Sequence, residues 1–301
     1  MGKIKRIVLL SMFLSPFIFP CLLYGEQVVQ IRGSGVIVLF EEPLKKAAME
    51  VIDIYPGLIT ELENTLRWKL HYEPTVLLIK DRETFREIVR NDLIVACAIP
   101  EKKSIFIDYS RMNISPFTLG TTLKHELCHL LLHQYVPEGK LPKWLDEGIA
   151  QWVSNGMAEI IMDRSDSVLS RVSLTGNYIP IGDLTERFPG SRDALLLAYD
   201  ESKSLVEYIV GEYGIGAILD ILRNLRNGDT IDTAVPASIS IPLDELEEKW
   251  HASLNKKIIW VTWLSDNLYG TLFFLTALVT IFAFFKLLKR KKIAYMEEDD
   301  D

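Results

Sequence analysis

Five consecutive residues near the middle of the chain combine imidazole and carboxylate groups at a spacing that suits metal chemistry. They are His125, Glu126, Leu127, Cys128 and His129, an H-E-x-x-H pattern. Side chains four residues apart share one face of an α-helix, so the two histidines can each present a nitrogen to one metal ion. Glu126 lies one step of about 100° from His125, where a base can take a proton from a water on the metal.

The competing interpretation is a buried helix whose histidines form ordinary hydrogen bonds. A second segment, Trp144 to Ala150, weighs against it because it supplies another carboxylate, Glu147, on a separate predicted helix. The 17 residues between His129 and Glu147 are enough for a turn and a returning antiparallel helix. Two imidazoles and one carboxylate leave a fourth position of zinc open for water, as catalytic zinc sites require.

The combination of H-E-x-x-H and W-L-D-E-G-I-A resembles the gluzincin metallopeptidases, and most closely the compact peptidase MA-like domains. The resemblance implies that His125, His129 and Glu147 bind Zn²⁺. It also implies that Glu126 is the general base for hydrolysis of peptide bonds by a zinc-activated water. The resemblance covers most of the chain between its two apolar ends, including a last helix at Leu243 to Leu254.

The same resemblance implies two further parts of the site. In the family, a tyrosine on a downstream helix stabilises the oxyanion that develops during peptide hydrolysis, and Tyr199 is the candidate here. A half-buried structural tyrosine is the alternative. A strand of the family lines the cleft and pairs with the substrate backbone, and the candidate segment comprises Ala96, Cys97, Ala98 and Ile99.

Two polar residues near the motifs have weaker predicted roles. His133 lies four residues beyond His129, but helical drift places it about 80° from His125. We therefore expect it beside the site or on the surface, and not on the metal. Gln151, one turn after Glu147, could orient a ligand through a hydrogen bond, although thermolysin-like enzymes have an aspartate at that offset.

The pattern of apolar residues around the motifs predicts an α+β fold. We expect a small N-terminal mixed sheet, a zinc-binding active-site helix and a C-terminal helical half. The active-site helix is predicted to begin at Ser115 and Pro116, a cap and a first helical residue, and to end at Tyr135. The other predicted elements are strands around Gly33 to Gly35 and at Thr75 to Ile79, a hairpin from Ile94 to Ile107, a helix at Pro43 to Leu70 interrupted at Pro56-Gly57, and helices at Lys143 to Asn155 (stopped by Gly156), Ala194 to Tyr213 and Ile215 to Asn227.

Both ends of the chain have apolar segments. Three basic residues precede the run from Ile7 to Tyr24, the layout of a secretory signal, with an uncleaved anchor as the alternative. The run from Leu268 to Phe285 is uncharged and is followed by a basic cluster, which predicts one transmembrane helix with its C-terminus in the cytoplasm. The predicted organisation is a signal peptide (1–25), a peptidase domain (26–256), a juxtamembrane segment (257–267), a transmembrane helix (268–288) and a cytoplasmic tail (289–301).

Composition limits the partners. The formal net charge is −8, and without the three bases of the N-terminal segment it is about −11, which argues against nucleic acid or anionic lipid as a partner. The expected substrate is a polypeptide outside the cytoplasm, and the expected membrane contact is the single span. Cys97 and Cys128 could pair in an oxidising compartment, but Cys128 inside the helix is more simply a small buried residue.

Two classes of function remain open from the sequence. The first is a membrane-anchored zinc peptidase, and the second is a peptidase-like scaffold with structural zinc or none. The intact Glu126 favours the enzyme because a scaffold needs no base. An endopeptidase is favoured over an aminopeptidase because the chain has no Gly-x-Met-Glu-Asn-type segment. Polar residues around the H-E-x-x-H motif, such as Lys124 and Gln134, exclude an intramembrane site.

Overall fold

The computed structural model describes residues 28–90, 92–112, 114, 117–155, 172, 176–266 and 268–298. It has an α+β architecture, with a small mixed sheet from the N-terminal part and a helical half that follows, as the sequence predicts. The predicted signal segment, 1–25, and the predicted stop at Gly156 lie outside the described residues.

The sheet has five strands in the order β1-β2-β3-β5-β4. The inner strands β2, β3 and β5 run parallel, while β1 and β4 pair antiparallel at the two edges. All five lie where the sequence pattern predicts strands. Their bounds are Val28–Arg32 for β1, Ile37–Glu41 for β2, Thr75–Ile79 for β3, Ala96–Ile99 for β4 and Ser104–Asp108 for β5.

Helices make up the rest of the described architecture, apart from short 3-10 turns. The N-terminal part contributes α1 (Lys45–Leu66) and α2 (Arg82–Val89), and the two helices with the motifs are α3 (Leu119–Tyr135) and α4 (Lys143–Ser154). The helical half continues with α5 (Arg192–Tyr213), α6 (Ile215–Arg226), α7 (Ile231–Ile239), α8 (Leu243–Asp266) and α9 (Leu268–Glu298).

Two local predictions about helices are wrong. Helix α1 continues through Pro56, because one missing N–H costs less than giving up the buried face on both sides of it. Helix α3 begins at Leu119, where Thr118 caps it by accepting a hydrogen bond from the backbone N–H of Thr121 at 3.2 Å. The predicted cap, Ser115, and the following proline lie outside the described residues.

The C-terminal region differs from the prediction in three ways. Helix α7 has no counterpart in the prediction, and α8 extends to Asp266 instead of ending near Leu254. The predicted membrane span, 268–288, lies within α9. Among the helices of the described residues, however, none is both long and apolar enough to cross a bilayer, so the structure does not support that span.

Two apolar clusters lie on opposite faces of the sheet. The larger one joins the sheet to α1, α3, α4 and the C-terminal helices, and it contains Trp144 and Trp250. The smaller one packs Phe85 of α2 and Tyr199 of α5 against the other face. Along the edge strand β4, Ala96 and Ala98 contact the larger cluster and Cys97 and Ile99 the smaller, as the alternation of a strand requires.

A glycine in the second motif permits close packing of α4 on α5. A Cβ atom on Gly148 would overlap the backbone carbonyl oxygen of Ser202 and would lie 2.7 Å from Val206 Cγ2. The backbone of α5 cannot yield as a flexible side chain would. Gly148 therefore sets the distance between the helix that presents Glu147 and the next layer of the core.

Substitution of Gly148 tests this contact. We expect Gly148→Ala to lower the free energy of unfolding by about 1–3 kcal/mol through overpacking, measured by urea denaturation. Gly211→Ala is the matched control, since nothing lies within 4 Å of a Cβ there, and it should preserve or raise stability through better helix propensity. Unchanged stability of Gly148→Ala would contradict the close approach.

Candidate metal centre

The H-E-x-x-H motif lies on a helix whose inner turns are almost fully buried. His125, Glu126 and His129 of α3 are 2 %, 0 % and 6 % exposed. Their spacing places the two histidines on one face, and their Nε2 atoms are 3.1 Å apart. Burial of this many polar groups on a core helix needs compensation, which a shared metal ion and hydrogen bonds to neighbouring groups can supply.

Helix α4 brings the carboxylate of Glu147 to the same point. Its Oε2 lies 3.5 Å from His125 Nε2 and 3.7 Å from His129 Nε2, and the residue is 3 % exposed. Within the described part of the chain, these three residues form the one group of three or more His, Cys, Asp or Glu side chains arranged to hold a metal.

The distances between the three atoms fit a catalytic zinc site. Ligand atoms about 2.0–2.2 Å from a tetrahedral zinc ion lie about 3.3–3.6 Å from one another. The observed separations of 3.1, 3.5 and 3.7 Å are close to that range without rearrangement of the backbone. Two imidazoles and a carboxylate are also the ligand types of catalytic zinc, so the residues fit the metal that the sequence predicts.

Asp146 supports the site, a role that the sequence motifs did not predict. Its Oδ1 accepts a hydrogen bond from His129 Nδ1 at 2.7 Å, which directs His129 Nε2 towards His125 and Glu147. Its Oδ2 accepts a second bond, 3.0 Å long, from Nε2 of His133. Although burial alone would raise it, the pKa of Asp146 lies well below the ordinary value because of His129, the two hydrogen bonds and the charge of Lys143.

His133 is therefore placed beside the site and not on the metal, in agreement with the helical geometry. It lies between Asp146 and a cavity of about 680 Å³, which it lines together with Lys103, Tyr135 and Arg226. The side chain of His133 is 33 % exposed, so the hydrogen-bond chain from His129 through Asp146 reaches the protein surface.

Gln151 has a different role from the predicted one. Its Nε2 donates a hydrogen bond to the backbone carbonyl of Tyr199 at 3.1 Å, so this side chain ties α4 to α5. A hydrogen bond that orients a candidate ligand, His129, comes instead from Asp146. The sequence signal for it was a carboxylate directly before Glu147 on the same short helix.

Tyr199 lies in the smaller apolar cluster. It is 7 % exposed, and its ring packs edge-on against Phe188 with the ring centres 5.0 Å apart. Cys97 and Ile99 of β4 line the same cluster, so the structure brings the tyrosine helix and the edge strand to one side of the sheet. The catalytic role of Tyr199 stays a prediction.

Strand β4 lies at one edge of the sheet, and its pairing with a substrate stays a prediction. It forms its ladder with β5 on one side only, and no strand of the described chain pairs with its outer edge. Helix α3 packs closely against β4. An exposed strand edge offers backbone N–H and C=O groups to an extended polypeptide.

Cys97 of β4 and Cys128 of α3 do not form a disulfide. Burial raises the pKa of Cys128 to about 12, so the thiol is protonated and packs as a small apolar group, although it adjoins His129 in the sequence.

A buried carboxyl on α5 holds the segment that precedes this helix. Glu201 is 1 % exposed, and its Oε1 accepts a hydrogen bond from the backbone N–H of Ile179 at 3.2 Å. Glu247 of α8 accepts a similar bond from Ile181. Burial raises the pKa of Glu201 to about 8, with smaller contributions from the negative charges of Glu247 and Asp200.

The chain matches the family description "Peptidase MA superfamily" over residues 92–256, more than half of its length. The chain belongs to the peptidase MA superfamily. The match runs from the loop before β4 into α8, so it includes both motifs and the candidate ligands of the peptidase MA domain. The resemblance seen in the two motifs is thereby confirmed. Among curated proteins, none matches the chain.

The carboxyl of Glu201 should make the stability of this peptidase MA protein depend on pH. An acid with a raised folded-state pKa contributes stability below its unfolded value, near 4.5, and that contribution is lost as the pH rises towards 8. We expect Glu201→Gln, which keeps an acceptor for Ile179, to lose less unfolding free energy than the wild type between pH 5 and pH 8.

Glu207→Gln is the matched control for this experiment. It lies on the same helix with a side chain that is 53 % exposed, so its pH profile should follow that of the wild type. Urea denaturation at several pH values supplies the measurement. Parallel profiles for wild type and Glu201→Gln would refute the effect of burial on this carboxyl.

Proposed function

We propose that the protein is a zinc-dependent metallopeptidase. The observation that supports this most directly is the convergence of His125, His129 and Glu147 at separations that suit a tetrahedral metal, with Glu126 beside them. Membership of the peptidase MA superfamily supports the same function. When bound, zinc would polarise the peptide carbonyl and acidify the attacking water.

In this mechanism Glu126, Asp146 and Tyr199 each have a separate role. Glu126, which follows the first histidine on the buried face of α3, is the general base and later returns the proton to the leaving amine. Asp146 keeps the tautomer and orientation of His129 constant through its 2.7 Å hydrogen bond. Tyr199 is proposed to donate to the developing oxyanion, which requires its hydroxyl to turn from the smaller apolar cluster towards the substrate.

The proposed substrate is a polypeptide in an extended conformation. Residues Ala96 to Ile99 of the edge strand β4 would pair with its backbone through main-chain hydrogen bonds. Pairing of this kind recognises the shape of the backbone more than any side chain, which suits internal peptide bonds. We therefore propose an endopeptidase.

The predicted location outside the cytoplasm is a separate proposal. Its support is the uncharged run Leu268 to Phe285 with the basic cluster that follows. Large apolar side chains of α9 are also strongly exposed, including Phe273 at 78 % and Phe282 at 70 %.

We expect the full-length protein to sediment with membranes and a variant lacking 268–288 to stay in the supernatant. Recovery of the intact protein in the supernatant would contradict membrane attachment.

Removal of the proposed base tests the enzymatic function. We expect the purified full-length protein to bind one zinc ion and to cleave members of a peptide library. Glu126→Gln should lower kcat/KM by roughly 10²- to 10⁴-fold because it cannot accept the proton. The variant should still bind zinc, since Glu126 is not a proposed ligand; zinc content is measured by atomic absorption.

Glu147→Ala tests the third proposed ligand. It should lose both zinc and activity if Glu147 is the third ligand, whereas Gln134→Ala, on the same helix as the histidines but bonded to the chain near His71, should keep both. Equal cleavage by wild type and Glu126→Gln in the presence of bound zinc would eliminate the peptidase and favour a scaffold.

A further inference from the structure

Lys143 forms a short hydrogen bond to Glu147, the third candidate ligand. Its Nζ donates a hydrogen bond to Glu147 Oε1 at 2.6 Å, one turn along α4. The side chain of Glu147 is 3 % exposed and that of Lys143 is 38 % exposed. The aliphatic part of the lysine thus extends from the surface of α4 to a buried carboxylate.

This contact gives the two carboxylate oxygens of Glu147 different partners. Oε1 faces the ammonium group, and Oε2 faces the Nε2 atoms of His125 and His129 at 3.5 and 3.7 Å. A glutamate carboxylate rotates easily about its terminal Cγ–Cδ bond, and a partner fixed on one oxygen limits that rotation. The other oxygen is then presented to the point where the two imidazoles converge.

The backbone of Lys143 is itself held in place. It is the first residue of α4, directly after Pro142, and its N–H donates to the carbonyl of Thr185 at 2.7 Å. Thr185 follows the 3-10 turn Ile181–Leu184, whose first N–H is bonded to Glu247. The backbone of Lys143 is therefore held both by Pro142, which precedes it, and by the segment that contains Thr185.

From this geometry we propose that Lys143 is a positioning residue for the metal centre: it holds Glu147 with a single oxygen towards the two histidines. The inference rests on the proposed function, because it concerns the metal that the peptidase would use. Two physical effects of the lysine have opposite signs. Its charge repels a divalent cation, whereas its hydrogen bond preorganises the ligand, so the sign of the change in affinity distinguishes them.

The zinc affinity of Lys143→Met tests the proposal. Methionine keeps the length and apolar stem but cannot donate a hydrogen bond. We expect the dissociation constant for zinc, measured by competition with a chelator on the full-length protein, to rise by roughly 10- to 100-fold. The visible spectrum of the Co²⁺-substituted protein should also change, because a carboxylate free to turn alters the coordination geometry.

Two further variants test whether another charged donor can replace Lys143 and whether the effect is specific to this position. Lys143→Arg keeps a charged donor and should restore most of the affinity and the wild-type Co²⁺ spectrum. Lys249→Met removes a lysine with the same one-turn spacing to a glutamate, Glu245, on the distant helix α8, and should leave the zinc affinity unchanged.

The outcomes are distinct. Unchanged or tighter zinc binding by Lys143→Met, with the wild type binding zinc normally, would overturn the positioning role and leave the proposed peptidase intact. Failure of the wild type itself to bind zinc would overturn the proposed metal and the role of Lys143 together. Weaker binding with an altered Co²⁺ spectrum and rescue by arginine would establish the role.

Discussion

The hydrogen bond from His129 to Asp146 is the contact on which the rest of the site depends. It joins the two helices that carry the candidate ligands, and both residues are more than nine-tenths buried. Apolar packing brings α3 and α4 together but tolerates a small shift of one helix along the other. A buried imidazole and a buried carboxylate, by contrast, must form a hydrogen bond to offset their loss of hydration. The bond therefore sets the register that places Glu147 opposite His125.

Much of this could be predicted from the sequence because local rules decide it. The four-residue spacing of His125 and His129 fixes their common face on any α-helix, and the alternation of apolar residues fixes strands such as β4 and β5. The pairing of Glu147 with the histidines followed from two motifs of a known type. That the three side chains come together agrees with the expectation drawn from those motifs.

Features set by tertiary contacts could not be predicted in the same way. Pro56 reads as a helix break, yet the buried residues on either side hold α1 together. Asp146 reads as a surface residue at the start of a helix, and only the fold shows that His129 and His133 face its two oxygens. Helix α7 contains Pro236 and little amphipathic pattern, so packing against α6 stabilises a helix that its sequence does not favour.

The adjacent carboxylates of Asp146 and Glu147 show how the site combines a rigid interior with contact to solvent. Each has one oxygen facing the candidate ligands and the other bonded to a partner at the surface, His133 or Lys143. Two neighbouring buried acids would repel each other strongly if both lacked donors. Partly exposed partners compensate the charges from outside the point where the three candidate ligands converge. The core thus fixes where the ligands lie, while side chains in contact with water supply the hydrogen bonds that orient them.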